Sequence, residues 1–310
     1  MGGGTPSVLP PSVLSRLVRG VNEAVFGEPL HNYPEFTVEV NPEDIIEKGE
    51  EYIAVLQELG VNRISMGIQS FDDNVLGWMN RRHDAEHAER AYWMLRSAGF
   101  RNISIDLIYG IGDVPDASWE ATVHKAIGLS PSHISAYQLS VEEGSSLAML
   151  AESGRYTEAD DEDCRRQYEL LCRLLGEAGY HHYEVSNFAY PGFEARHNSA
   201  YWRRVPYVGL GAGAHSALAG ADGKVNVRRW NSEAETGYVP GQEILTEENI
   251  RMETIMLGLR TDMGVDPSCL PAGPAAMLVD EGALVLTHEG NLRIPEERFF
   301  VSDEIIRELV

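Results

Sequence analysis

The stretch Gly60 to Phe71, GVNRISMGIQSF, constrains this chain most, because three further segments repeat its plan. A helix with apolar residues at helical spacing ends in glycine, and a short β-rich run follows that closes on a polar residue. The echoes are GFRNISIDLIYG at 99–110, GLSPSHISAYQLS ending at Ser140 and GYHHYEVSNF ending at Phe188. The pairs Ile64-Ser65, Ile103-Ser104 and Ile134-Ser135 fall at the same point in three of the four. Helix alternating with strand at this spacing predicts consecutive βα units on a parallel sheet.

Side chains alternate along a strand, so each run has two faces. Ile64, Met66 and Ile68 oppose Ser65, Gly67 and Gln69; Ile103, Ile105 and Leu107 oppose Ser104 and Asp106; Val38 and Val40 oppose Thr37, Glu39 and Asn41. The apolar faces must meet the covering helices. A closed eight-stranded barrel fills its interior with bulky branched side chains, whereas these inner faces are small or polar, which predicts a lumen that is wet or filled by a ligand. Glu39, Gln69 and Asp106 lie at the C-terminal ends of their strands, where α/β sheets place their sites. One polar residue there reads equally as an exit to solvent; three on one parity point to a shared site.

With 43% hydrophobic and 24% charged residues over 310 positions, the composition is that of a globular protein with one large domain and room for a small one. No membrane span or signal peptide is visible, and the expected location is the cytoplasm, with any membrane reached only through a client. A net charge of -23 argues against nucleic acid as a partner. Cys164 and Cys172 fall on one helical stripe with Tyr168, Leu171 and Leu175 and read as buried hydrophobes, and Cys269 stands in a proline-rich loop.

Taken in order, MGGGTPS is either a tag remnant or a backbone cradle whose amides can approach a ligand closely. The helix that follows is expected to be capped by Ser12. Arg81 and Arg82 could fork a carboxylate or stand solvated. Two helices bury Ala88, Ala91, Tyr92, Leu95 and Trp119, Thr122, Val123, Ala126, Ile127. The acidic run 158–163 reads as a solvated helix start. Gly209, Gly211 and Ala214 satisfy G-x-G-x-x-A, but a polar run with a turn signal at Asp222-Gly223 follows where a dinucleotide site needs a helix. Further on, Met252, Ile255, Met256 and Leu259 mark an amphipathic helix, 267–274 a linker-like loop, 289–291 a hairpin turn, and a last helix starts after Ser302. Helices with a β-hairpin suggest a winged-helix shape.

These motifs resemble the radical SAM family of oxygen-independent coproporphyrinogen III oxidases and their relatives. The resemblance rests on GGGTPS at 2–7, VEVNP at 38–42, GVNRISMGIQSF at 60–71, NRRH at 80–83, IDLIYG at 105–110 and HISAYQL at 133–139. It implies that Gly3, Gly4 and Thr5 contact the amino-acid end of S-adenosylmethionine (SAM), with Glu39, Gln69, Arg81, Asp106 and Ser140 lining the same lumen. YEVSNFA at 183–189, HNSAYW at 197–202 and GAHS at 213–216 are similar to the haem chaperone branch of that family. A histidine beside stacking aromatics suits a porphyrin plane and an axial iron ligand, so His197, Tyr201, Trp202 and His215 are candidate haem residues. His197 read alone is equally an ordinary hydrogen-bonded histidine.

The fold expected is α/β: a partial (β/α) radical SAM barrel, incomplete at its N-terminal edge, followed by a winged-helix-like module. The expected division is 1–190, 191–245 and 246–310. The family's C-x3-C-x2-C, whose thiolates hold a [4Fe-4S] cluster, is expected upstream of GGGTPS, and the chain begins at that stretch. Either the reading frame starts earlier, or the chain was cut, or it is a cluster-free relative. As written, it is not expected to generate a deoxyadenosyl radical. Leading strands absent from the sequence would leave the Thr37 to Asn41 strand as a bare edge open to association, unless another segment covers it. Two functions compete: a carrier that delivers haem to client proteins, and an oxidase that decarboxylates porphyrinogen propionates; an inactive fragment of either is the third possibility.

Overall fold

Thr37–Val40 (β1), Arg63–Gln69 (β2), Asn102–Tyr109 (β3) and His133–Gln138 (β4) lie side by side and parallel in the computed structural model. The description covers residues 1–220, 223, 225–232 and 240–310. Helices precede and link these strands: Pro11–Phe26 (α1), Pro42–Glu58 (α2), Asp73–Trp78 (α3), Ala85–Ser97 (α4), Asp116–Leu129 (α5), Ser146–Glu152 (α6) and Asp161–Glu177 (α7). The apolar parity read from the repeats is the buried one. Val38, Val40, Ile64, Met66, Ile68, Ile103, Ile105, Leu107, Ile134 and Ala136 are all buried, against helix faces that include Ala88, Ala91, Tyr92 and Leu95 of α4 and Trp119, Val123 and Ala126 of α5. In α5 the stripe ends on buried Leu129 rather than Ile127, which is half-buried.

The fourth echo departs from the repeat. After α7 come His181–Glu184 (β5) and Asn187–Ala189 (β6), and the sheet order is β1-β2-β3-β4-β6-β5. β6, not β5, neighbours β4, and it runs antiparallel, pairing Ser135 with Asn187 and His133 with Ala189. Only two residues separate the strands, too few for the helical crossover a parallel neighbour requires. The sheet is therefore mixed.

The outer edge of β1 is not bare: another segment covers it, the exception the sequence expectation allowed. The Glu39 amide donates to the Met1 carbonyl at 3.1 Å, and the Met1 amino group donates to the Thr37 carbonyl at 2.5 Å. This pairing blunts an edge that would otherwise template association. α1 begins at Pro11 with Pro10 before it, so Ser12 is not its cap; proline's preset φ and missing N–H suit the first helical position. Asp160 caps α7 by accepting from the Asp163 amide, as the acidic run suggested.

The chain divides into two compact units, Met1–His181 with Ser186–Glu194, and His182–Val185 with Ala195–Val310. In the second, Arg196–Trp202 (α8) precedes a three-stranded antiparallel sheet of His215–Ala219 (β7), Val225–Trp230 (β8) and Gly241–Ile244 (β9). The glycines at 209 and 211 thus lead into strand β7, not the helix a dinucleotide site needs. Of the turn signal there, Asp222 lies outside the described residues, and Gly223 donates its amide to the Gly220 carbonyl. Glu247–Gly258 (α9) and Ala272–Asp280 (α10) follow, then the hairpin Val285–Leu286 (β10) and Leu292–Arg293 (β11), and Ser302–Arg307 (α11). Two expectations fail here. Met256 of α9 is exposed while Ile255 and Leu259 are buried. The 267–274 stretch is largely structured, because Pro274 sits in the first turn of α10, where no intrahelical N–H is needed.

Candidate functional site

Register turns the polar parity of the strands into rows across the sheet. Glu39, Ser65, Ser104 and His133 are successive partners on β1 to β4; Gly67, Asp106, Ser135 and Asn187 form the next row, on β2, β3, β4 and β6. Ser65 Oγ donates to both Asp106 carboxylate oxygens at 3.2 and 3.3 Å. Desolvation pushes the Asp106 carboxyl up to about 6, against the opposing pull of hydrogen bonds from Ser135 and Ser65 and of the Arg63 charge. His133 is buried against Ser104 Oγ at 2.8 Å, and burial together with Arg63 keeps its ring neutral. Arg63 is itself buried, and its Nε has no hydrogen-bond partner among the described residues.

At the C-terminal end of β2 the register slips between Gly67 and Gln69, and Gln69 takes a left-handed φ of 72°. Such a bulge re-aims a side chain, and the strain it carries recurs at functional sites. Gly67 is where three polar groups converge: a Cβ there would stand 2.8 Å from Gln69 Nε2 and 3.5 Å from both Arg81 Nη2 and Asn41 Oδ1. Arg81 Nη2 donates to Asn41 Oδ1 and to the Gly67 carbonyl, each at 2.9 Å, while its Nε is buried with no partner among the described residues.

The glycine-rich N-terminus arrives beside this point. A Cβ at Gly2 would fall on the Glu39 carboxylate, and Gly3 has a left-handed φ of 81° that side chains rarely tolerate. Desolvation raises the Glu39 carboxyl, against the Met1 amino group and a hydrogen bond from the Gly3 amide. Thr5 leads into a 3-10 turn at Pro6–Val8, and buried Ser7 fastens it: its Oγ donates to Asp44 Oδ2 at 2.6 Å and accepts from the Asn41 amide at 3.1 Å. Lys48 Nζ adds hydrogen bonds to the Ser7 and Leu9 carbonyls.

Of the two arginines in NRRH, Arg82 makes the fork, with Nε to Glu43 Oε1 at 3.0 Å and Nη2 to Asp44 Oδ1 at 2.9 Å. Buried His83 completes the cluster, Nδ1 facing Glu43 Oε2 at 3.0 Å and Nε2 facing the Ile68 carbonyl at 3.1 Å. Burial alone would raise the Glu43 carboxyl, but the His83 hydrogen bond, backbone donation and the neighbouring cations bring it down to about 2. The cluster ties α2 to the residue before Gln69.

The structure thus gathers Gly3, Glu39, Gln69, Arg81 and Asp106 at one end of the first unit's sheet. Ser140 lies two residues past β4, exposed, with its Oγ on Glu142 at 2.8 Å. Asn41, Arg63, Ser65, His133 and Ser135 belong to the same polar face. Alternation along HISAYQL is the signal that could have found His133 and Ser135, and Arg63 shares the parity of Ser65 and Gln69 at the start of its strand. In the second unit, His197 is exposed on α8 with Nε2 2.7 Å from the Tyr201 hydroxyl, and Tyr201 meets Tyr207 edge to face at 4.6 Å. Trp202 Nε1 is buried without a partner among the described residues. His215 is exposed at the start of β7, its ring stacked with Trp230 at 6.3 Å.

Residues 1–126 match the radical SAM superfamily. A heme chaperone HemW of Bacillus subtilis (strain 168) is 34% identical, covering 94% of this chain and 82% of that protein. One from Lactococcus lactis subsp. lactis (strain IL1403) is 37% identical, covering 86% and 69%. The chain belongs to the radical SAM superfamily, in its HemW/HemN branch. The fold agrees with that of the radical SAM enzyme HemN, the coproporphyrinogen III oxidase of Escherichia coli, with a TM-score of 0.77 at 20% identity over 99% of this chain and 76% of that one. Among the described residues no helix is long and apolar enough to cross a membrane.

Two cofactors of radical SAM proteins can be tested against these residues. For SAM the fit is good: the cradle is kept free of Cβ atoms at Gly2 and Gly67, and the buried Arg81 Nε lacks an acceptor among the described residues. For a [4Fe-4S] cluster the residues of this chain do not fit. Cys164 and Cys172 are both on α7 and Cys269 is in the second unit, and the described residues contain no group of three or more His, Cys, Asp or Glu able to hold a metal.

Proposed function

We propose that this chain is a haem carrier that seats SAM at the C-terminal ends of β1 to β3, holds haem in its second unit around α8, and passes it to haem-requiring client proteins. Gly3, Gly4 and Thr5 would meet the amino-acid end of SAM, with Glu39, Gln69, Arg81, Asp106 and Ser140 around it. His197, Tyr201, Trp202 and His215 are the haem candidates. The observation that carries the reading is HNSAYW on α8, an imidazole and two flat aromatics within six residues, in a chain 34% identical to a heme chaperone. Haem titration of the chain should give a Soret band shifted from free haem that saturates at about one equivalent. Absence of a saturable band would reject the carrier. Calorimetry should show SAM binding weakened in Gln69→Ala and Asp106→Ala, and equal binding in both variants and the parent would place the ligand elsewhere.

A second reading, from the resemblance to the coproporphyrinogen III oxidases, is oxidative decarboxylation of porphyrinogen propionates. The shared fold supports it. It needs three thiolates that the residues of this chain do not supply, and that same shortage supports reading the polypeptide, taken alone, as inactive in radical chemistry. Carriage of haem needs no such step.

A further inference from the structure

Two successive carbonyls of the β2 bulge are held from one loop. Between α3 and α4, Arg81 donates through Nη2 to the Gly67 carbonyl at 2.9 Å, and His83 stands with Nε2 3.1 Å from the Ile68 carbonyl. A carbonyl oxygen only accepts, so His83 Nε2 donates in that contact. Asn80, with a left-handed φ of 55°, turns the chain out of α3 into this loop.

The bulge leaves the Ile68 carbonyl in need of such a donor. Ile68 has no register partner on β1, where pairing ends at Val40 and Met66, or on β3, where it passes from Gly67 to Gln69. Ile68 and His83 are both buried, and a buried carbonyl without a donor is costly. The Ile68 carbonyl and the Gln69 amide share one planar peptide unit. A donor fixed on that oxygen therefore sets the plane from which the left-handed φ of 72° at Gln69 departs. Gln69 in turn lays its side-chain amide over Gly67, with Nε2 2.8 Å from the point a Cβ there would occupy.

The His83 ring is held by partners of its own. Nδ1 faces Glu43 Oε2 at 3.0 Å, and Glu43 Oε1 and Asp44 Oδ1 share the Arg82 guanidinium at 3.0 and 2.9 Å. Asp44 Oδ2 accepts from Ser7 Oγ at 2.6 Å, at the end of the glycine-rich segment. One cluster thus braces both walls of the sheet site, the bulge through His83 and the glycine-rich segment through Ser7. Side chains locked in this way are what a precise binding site requires around it.

Resting on the assignment of SAM to the sheet site, we infer that His83 is a positioning residue for that ligand: it holds the peptide between Ile68 and Gln69 so that the Gln69 side chain is set before SAM arrives. A role confined to stability would need only the Nδ1 contact with Glu43.

The two ring nitrogens can be separated by substitution. His83→Gln puts an amide nitrogen near the place of Nε2 and keeps a donor for Ile68 while giving up Glu43; His83→Asn puts one near the place of Nδ1 and keeps Glu43 while giving up Ile68. The test is calorimetry of SAM binding to the full chain, with thermal unfolding of each variant alongside. His83→Asn and His83→Ala should bind SAM about tenfold more weakly than the parent, and His83→Gln within about twofold of it. Unfolding temperatures should rank the other way, with His83→Asn above His83→Gln, because only the former keeps a partner for the buried Glu43 carboxylate on that side. In a Gln69→Ala background His83→Asn should cost no further affinity, since it acts through that residue. Where Gln69→Ala alone weakens binding, His83→Asn binding SAM no more weakly than His83→Gln, or losses that add in the double variant, overturns the positioning role and leaves the SAM seat standing. SAM binding that is absent in the parent, or untouched by Gln69→Ala, overturns the seat and this inference with it. His83→Gln and His83→Asn both keep a polar side chain in the buried position, so the comparison holds even if His83→Ala does not fold.

Discussion

In the first unit the candidate side chains are scattered over four strands and meet because parallel register aligns them; in the second, Trp202 and Arg203 are consecutive and line one cleft with residues of α9 and the 267–269 turn. The sheet site is strained and desolvated: Gln69 has a left-handed φ, desolvation pushes the Asp106 carboxyl up to about 6, and Arg63 and Arg81 each carry a buried Nε with no partner among the described residues. The cleft beside α8 is lined mostly by apolar surface, with Arg203, Arg204, Asp266 and Cys269 among its polar residues. The first arrangement suits a small polar zwitterion held from many sides, the second a flat apolar ligand held at a few points. Variants that affect one site and spare the other test this contrast.

The largest effect should come from the cluster behind the sheet site. Glu43→Gln takes the carboxylate from buried His83 and from Arg82, and breaking a buried pair on one side should cost about 3 kcal/mol. The parent carries a matching pH signature. Glu43 is held down at about 2, below its unfolded value of 4.5. Its contribution is therefore present above pH 4.5 and is lost as pH falls from there toward 2. Urea midpoints at pH 5 and pH 3 should diverge in the parent and converge in Glu43→Gln. Parallel pH dependence in both would show that the cluster does not anchor the fold.

Gly67→Ala comes next and separates ligand binding from stability. The added Cβ meets the far end of the Gln69 side chain at 2.8 Å, and that flexible amide can move aside. The fold should lose less than about 1 kcal/mol, while SAM affinity falls about tenfold, near 1.4 kcal/mol. Haem titration of the same variant should match the parent. A change in both ligands' affinities would break the separation between the sites.

The difference between the two sites also explains what could be read from the sequence. The buried parity of the strands follows from period-2 alternation, and Glu39, Gln69 and Asp106 emerged because polarity on the opposite parity of a buried strand is informative. The bulge at Gly67/Gln69 was hidden, since nothing in GIQSF states that Gln69 adopts a left-handed φ. β6 was hidden for a related reason: YEVSNFA reads as one strand, and only the tight turn between Glu184 and Asn187 reverses it. HNSAYW was visible as a motif, but the cleft beside it was not. Cys269 stands 67 residues after Trp202 in a proline-rich stretch, and no periodicity joins them.

The smallest effect tests whether the strain at the sheet site is stored for a ligand. The Asp106 carboxyl, raised to about 6 chiefly by desolvation, binds its proton more tightly in the fold than in the unfolded chain, whose value is near 3.8. A raised acid gives stability that is fully present below pH 3.8 and is lost as pH climbs to about 6, so at pH 7 the ionised group is a net cost. Asp106→Asn keeps the shape and a carbonyl to accept from Ser65 and removes the charge, so the unliganded variant should be more stable than the parent at pH 7 by about 1 kcal/mol after screening. The gain should vanish near pH 4, where the parent carboxyl is itself protonated. SAM affinity should move the other way, as expected where a site trades stability for binding. A variant less stable than the parent at pH 7 would mean that the pull of Arg63 on the Asp106 charge outweighs its desolvation, and the sheet site would then be a structural ion pair.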